Sequence, residues 1–189
     1  MDILTRQEAV QQAKKWVESE PVYIDTETTG TGPHAEIIEI AIVDHLGQVL
    51  FDSLVRPKGK IEPDAVRIHN ITPADVLDEK PWEEIWPQVE PLMAGKYICT
   101  YNSDFDLRLL KQSHQRAWLK WMIPDSRFLC VMKLYARFHG EWDANRRTHK
   151  WQRLEIAGQQ CGISLLNSHR ASDDALLARA VLMHMADWK

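Results

Sequence analysis

Asp25 and Glu27 stand two residues apart in the run Val22-Tyr23-Ile24-Asp25-Thr26-Glu27-Thr28-Thr29-Gly30, and on an extended strand that spacing turns both carboxylates to one face. Two anions so close raise each other's pKa, and both stay ionised only beside a cation, for which hard oxygen donors suit Mg²⁺ or Mn²⁺. A lone D-x-E also fits a solvated strand end, so the chemistry needs more acids, and helix phase points to two. In Tyr101-Asn102-Ser103-Asp104-Phe105-Asp106-Leu107, Asp106 shares a face with Leu109, Leu110 and Ser113, whereas Asp104 shares one with Leu107, Arg108 and Lys111. In His169-Arg170-Ala171-Ser172-Asp173-Asp174, Asp174 heads the apolar stripe of Leu177, Ala178, Val181, Leu182 and Met185, and Asp173 is turned off it by about 100°. An ionised acid at the head of a buried stripe requires a metal ion, a histidine or a capped backbone beside it. His169 by itself reads as a surface or capping histidine.

The elements that must carry these groups follow from periodicity and turn residues. Thr5-Arg6-Gln7-Glu8 has the form of a capping box, and Ala9, Val10, Ala13, Trp16 and Val17 recur at helical spacing, predicting a leading helix at about 5–19 that stops before Pro21. The strand with Asp25 follows, then strands over 37–43 and 49–55 joined by short turns, an antiparallel three-strand meander. Pro63 and Pro73 mark helix starts within 62–78, and 82–93 reads as a helical pattern kinked or broken at Pro87 and stopped by Gly95. A fourth strand is expected at 97–101, helices at 104–121, 126–138, 151–161 and 172–186, and a mobile polar loop at 140–150. The class is α/β.

Composition narrows the compartment and the partners. A chain of 189 residues suits a single domain, 1–189. Its net charge of -4 excludes coating of nucleic acid by bulk positive potential and leaves a local basic patch. Cys99, Cys130 and Cys161 lack C-x-x-C spacing and fit reduced core thiols in the cytoplasm. No signal pattern and no apolar stretch of membrane-spanning length is present, so a soluble protein without a membrane partner is expected.

Taken together, the D-x-E, N-x-x-F-D and H-x4-D spacings resemble the DEDDh group of 3′ to 5′ exonucleases, the proofreading-exonuclease superfamily on a ribonuclease-H-like fold. The resemblance runs from about Val22 to the C-terminus, and Ile68-His69-Asn70-Ile71-Thr72 looks like that family's H-x-I-T element. The run from Cys130 to Arg137 is similar to small stand-alone DNA exonucleases. Tyr101 stands where the family commonly has His, and the leading helix lies outside the likeness. The resemblance implies a ribonuclease-H-like mixed sheet flanked by helices and two divalent cations, Mg²⁺ or Mn²⁺, held by Asp25, Glu27, Asp106 and Asp174. It also implies His169 as the general base and nucleoside 5′-monophosphates as products. Thr28, Thr29, Ile68, His69 and Phe105 would border the terminal nucleotide, the bland reading of Ile68 being core packing.

Arg146, Arg147, Lys150 and Arg153, with Trp151 and His149 among them, form a basic run that is either a solvated face or a groove tracking a phosphate backbone. Trp82, Trp86, Trp118 and Trp121 sit in helical patterns and read as core or partner-binding residues. The resulting expectation is a metal-dependent exodeoxyribonuclease acting in DNA repair on single-stranded or frayed 3′ ends, with DNA favoured over RNA. An RNA-trimming exoribonuclease and a module that binds a replication or repair protein are the alternatives.

Overall fold

Val22, Tyr23 and Ile24 are buried on alternate faces of strand β1 (Val22–Thr28), which places them in two separate apolar clusters and makes β1 the central strand of the fold. The structure, a computed structural model, describes residues 3–165 and 168–189. Strand β2 (Ile37–Val43) is buried along its whole length, as its nearly unbroken aliphatic sequence requires, and pairs antiparallel with β1 and with β3 (Val49–Leu54). Strands β4 (Ile98–Thr100) and β5 (Phe128–Cys130) add on the other side in parallel, giving the five-stranded order β3-β2-β1-β4-β5. This is the ribonuclease-H-like mixed sheet, meander included, that the sequence predicts.

One cluster lies where α1 (Ile3–Glu18), α5 (Val131–His139) and α7 (Ala171–Ala186) cover the sheet through residues such as Ala13, Tyr135, Leu177 and Val181. The opposite cluster joins Ile24, Ile40 and Ile42 to α3 (Trp82–Met93) and α4 (Ser103–Arg116) through Trp86, Val89, Leu109 and Leu110. Because β1 and β4 are parallel, the ends of both, the start of α4 and the start of α7 meet at one edge of the sheet, the usual place for a site in such folds.

Several boundaries differ from expectation for local reasons. Helix α1 is described from Ile3, so Thr5 lies within the helix and not before it. Helix α2 (Pro63–His69) begins at Pro63 as expected, but 73–78 is a series of turns. Helix α3 runs through Pro87 and Pro91 without a break, and both prolines lie on its exposed side. Helix α4 ends five residues short of the expected 121, at Arg116, because Trp118 takes a left-handed backbone angle, φ 57°. The stretch 126–138 divides into a 3-10 turn (Asp125–Arg127), β5 and α5. The expected loop at 140–150 holds a small hairpin of β6 (Trp142–Asp143) and β7 (Thr148–His149), followed by α6 (Leu154–Gln160). All three cysteines are free. Among the described residues no helix is long and apolar enough to cross a membrane.

Candidate active site

Alternation along β1 turns Asp25 and Glu27 to the Tyr23 face, toward α7, whose first turn brings in Asp174. Carboxylate oxygens of Asp25, Glu27 and Asp174 all lie within 4.8 Å of one another. Asp106 approaches Asp25 from α4 and stands outside this close triad; its carboxylate accepts from Thr26 Oγ1 at 3.0 Å. The buried member of each aspartate pair is the one helix phase selects. Asp106 and Asp174 are buried, whereas Asp104 is exposed and bonded to Lys133 at 2.6 Å, and Asp173 is half-buried and bonded to the Ser168 hydroxyl.

Crowding of acids in a buried corner raises their pKa values. Burial, followed by the charges of Asp106, Glu27 and Asp174, holds Asp25 well above the carboxylate range. Burial and the Asp174 charge push Glu27 up to about 8. Burial lifts Asp106 to about 6 against the Thr26 hydroxyl bond that favours its anion, and burial with the neighbouring Asp173 lifts Asp174 to about 7. Carboxylates in this arrangement ionise together only when positive charge joins them, and a set made entirely of hard oxygens fits divalent cations such as Mg²⁺ or Mn²⁺.

His169 is exposed at the rim of this corner with a left-handed backbone, φ 54°. That conformation is uncommon outside glycine and has to be held by its surroundings. Two sets of contacts hold it. The backbone N–H groups of Ser168 and His169 donate to the Asp174 carboxylate. The next residue, Arg170, donates through Nε to Oε1 of Glu39 at 2.8 Å, and Ala171 N–H donates to Oε2 of Glu39 at 2.9 Å. Glu39 is 1% exposed and sits opposite Glu27 in the β1–β2 register. Sequence reasoning passed over Glu39 and gave Arg170 no role; the available signal was one carboxylate inside the apolar run Ile37-Ile38-Glu39-Ile40, which must find a cation once buried.

Two cavities adjoin these residues, one walled in part by Glu27 and one bordered by His169. The first, about 290 Å³, is walled by Glu27, Thr28, Ile68, His69, Phe105 and Glu62. Ile68 is 54% exposed, which removes its bland reading as core packing. His69 lies on the wall with both ring nitrogens engaged, Nε2 donating to the Thr28 carbonyl at 3.2 Å and Nδ1 accepting from Ile71 N–H at 3.0 Å, so it ties α2 to the end of β1. Thr29 is not on the wall. Its hydroxyl accepts from Glu36 N–H at 3.0 Å and its carbonyl from Glu62 N–H at 2.8 Å, bracing the turn after β1. Gly30 permits that turn, for a Cβ there would meet the Glu62 carboxylate at 2.5 Å.

The second cavity, about 420 Å³, is bordered by His169, Tyr101, Asn102, Trp151 and Arg153. The basic run is thereby divided. Trp151 and Arg153 reach the cavity, Arg147 is exposed in the hairpin turn, and Lys150 and Arg146 pair with Glu141 at 2.9 Å and Asp143 at 3.8 Å within the hairpin. Of the four tryptophans in helical patterns, Trp82 and Trp86 are buried against His114, Trp121 packs beside them, and Trp118 is 93% exposed.

Comparison with known proteins agrees with this geometry. The Exonuclease family model, of the RNase T type, matches residues 22–182. The chain is 34% identical over 181 residues to the uncharacterised exonuclease CP81 of Escherichia phage 186, covering 93% of each. It is 32% identical over 173 residues to exodeoxyribonuclease 10 of Escherichia coli K12, covering 87% of this chain and 69% of that one. Among solved structures, exonuclease X in complex with 5′ overhanging duplex DNA matches with a TM-score of 0.62 and 29% identity, covering 89% of this chain and 93% of that one. The nuclease domain of 3′hExo, a DEDDh family member bound to rAMP, shares the fold with a TM-score of 0.69 at 20% identity, covering 86% and 89%.

Proposed function

The chain belongs to the Exonuclease family, and from that premise we propose a metal-dependent 3′ to 5′ exodeoxyribonuclease that releases nucleoside 5′-monophosphates from single-stranded or frayed DNA ends. The observation that carries this reading is the convergence of Asp25, Glu27 and Asp174 oxygens within 4.8 Å, with Asp106 adjoining, beside a cavity that Glu27 helps to wall. The proposal treats 1–189 as one exonuclease domain, α1 included, working in the cytoplasm in DNA repair.

Asp25, Glu27, Asp106 and Asp174 would hold two Mg²⁺ or Mn²⁺ ions. Bound there, such ions supply activation of the attacking water and stabilisation of the charge that develops on the departing oxygen. In the first cavity Ile68 and Phe105 would pack on the base and sugar of the terminal nucleotide, with Thr28 and His69 shaping the wall. His169 would take one proton from water as the water oxygen bonds to phosphorus; the P–O3′ bond breaks, the 3′ oxygen stays on the upstream strand and gains a proton to become its new 3′ hydroxyl, and the terminal nucleoside 5′-monophosphate departs. The rim position leaves the imidazole open to solvent, so that proton can be passed on.

DNA is favoured over RNA because the relative at 32% identity is named as an exodeoxyribonuclease. The test is incubation with 3′-labelled and 5′-labelled DNA and RNA oligomers and Mg²⁺ or Mn²⁺, read on one gel. Ladders from the 5′-labelled DNA and mononucleotides from the 3′-labelled DNA are expected, with chelator abolishing both. Internal cuts, or activity that survives the chelator, would sink the proposal.

A further inference from the structure

A phosphodiester carries a nucleoside on each side of phosphorus, and besides the cavity walled by Glu27 the structure has a second one bordered by His169 and by Asn102 at the start of α4. Resting on the exonuclease reading, we propose that the second cavity, between His169 and Trp151, is the subsite for the penultimate nucleotide, whose base stacks on the Trp151 indole.

The segment that bears Trp151 is built to present it. Glu141 grips both of its neighbours, taking Lys150 Nζ at 2.9 Å and Gln152 Nε2 at 3.0 Å, while Lys150 N–H donates to the Glu141 carbonyl at 2.8 Å. From the other side the Tyr101 hydroxyl donates to the Gln152 carbonyl at 3.1 Å. With residues 150 and 152 fixed, the indole between them is left 54% exposed on the cavity wall, where an aromatic face gains by covering with another ring. Arg153 stands exposed on the same wall, and Glu155, also lining the cavity, accepts from Gln159 Nε2 at 3.2 Å. The cavity therefore offers a flat apolar platform and a cation beside it, the pair of features suited to a base and its 5′-side phosphate. The same bond gives Tyr101 a place: it braces the platform.

The test compares kcat/KM for oligomers with an intact or an abasic penultimate residue, in the parent protein and in Trp151→Ala and Trp151→Phe. Loss of the base should lower the parent's rate roughly tenfold. In Trp151→Ala that penalty should all but vanish, and in Trp151→Phe it should persist. A purely structural tryptophan would lower both substrates alike and leave the penalty intact, and this result, or no penalty in the parent, would overturn the proposal. Stacking is also read without turnover, as quenching of 2-aminopurine at the penultimate position when the oligomer binds with Ca²⁺, and Trp151→Ala should remove it. A parent that cleaves no oligomer yet quenches 2-aminopurine would overturn the exonuclease reading and keep the subsite. Cleavage with no quenching would do the reverse.

Discussion

Arg170 Nε donates to Glu39 Oε1 across 2.8 Å, joining residues 131 positions apart and fastening the start of α7 to the middle strand of the meander. The carboxylate is 1% exposed and the guanidinium about half-exposed, so the anion depends on this one cation and on the Ala171 N–H. His169, in its left-handed conformation, immediately precedes the joint.

Arg170→Ala should therefore cost about 2 kcal/mol in urea unfolding, less than a fully buried pair because water reaches the guanidinium. It should also lower kcat at least roughly tenfold, since His169 loses its brace. Arg170→Lys should recover more of the stability than of the rate, because a point charge lacks the rigid fork whose Nε and Nη2 both meet Glu39 and fix the direction of the backbone next to His169. Equal recovery of the two would show a joint that serves stability alone.

Asp25→Ala, Glu27→Ala, Asp106→Ala and Asp174→Ala should each reduce nuclease activity to background in a labelled-oligomer assay. Each should leave the protein folded, as circular dichroism would report. Asp104→Ala and Asp173→Ala should retain most activity, because Asp104 points to solvent and Lys133, and Asp173 is taken up by Ser168. An inactive Asp104 variant beside an active Asp106 variant would reverse the helix-phase argument.

In chelator, stability should fall as pH rises. Glu27 at about 8 and Asp174 at about 7 lie above their unfolded values near 4, so the folded state gains from their protons. That gain is complete below the unfolded pKa and is lost as pH climbs through about 7 and 8. The melting temperature of metal-free protein should drop between pH 5 and 9 by roughly 5 °C or more, Mg²⁺ should reverse the drop, and Asp174→Asn should flatten it. A drop of the same size in Asp174→Asn would detach the effect from these acids.

Arg147→Ala with Arg153→Ala should lower the salt slope for binding a single-stranded oligomer by roughly 0.7 for each phosphate that the variant no longer neutralises. Lys150→Ala should change it less, because that ammonium is already matched to Glu141. A slope that ignores Arg147 and Arg153 and follows Lys150 would mean that the hairpin ion pairs open to receive the substrate.

What was legible in the sequence is what repeats at short range. The meander could be read because 37–43 and 49–55 lie within a short turn of each other, and the inward aspartate of each pair because 3.6-residue phase accumulates over several apolar residues. Strand β5 left no period in three residues, and its order comes from lying beside β4. The hairpin of β6 and β7 was hidden in a polar stretch that reads as loop. Glu39 with Arg170, and Glu141 with Lys150 and Gln152, are chosen by which segments meet in space, so only the folded chain identifies them.

Asp25 lies on the first strand of the sheet and Asp174 on α7, which follows every other element in chain order and packs on α1, α5, α6 and on β1, β2 and β4. A chain still being synthesised has three of the four acids and lacks the helix that packs on α1 and on the central strands. The four carboxylates can therefore meet only after α7 has emerged, and a nascent chain that has reached α6 still lacks the full acid set.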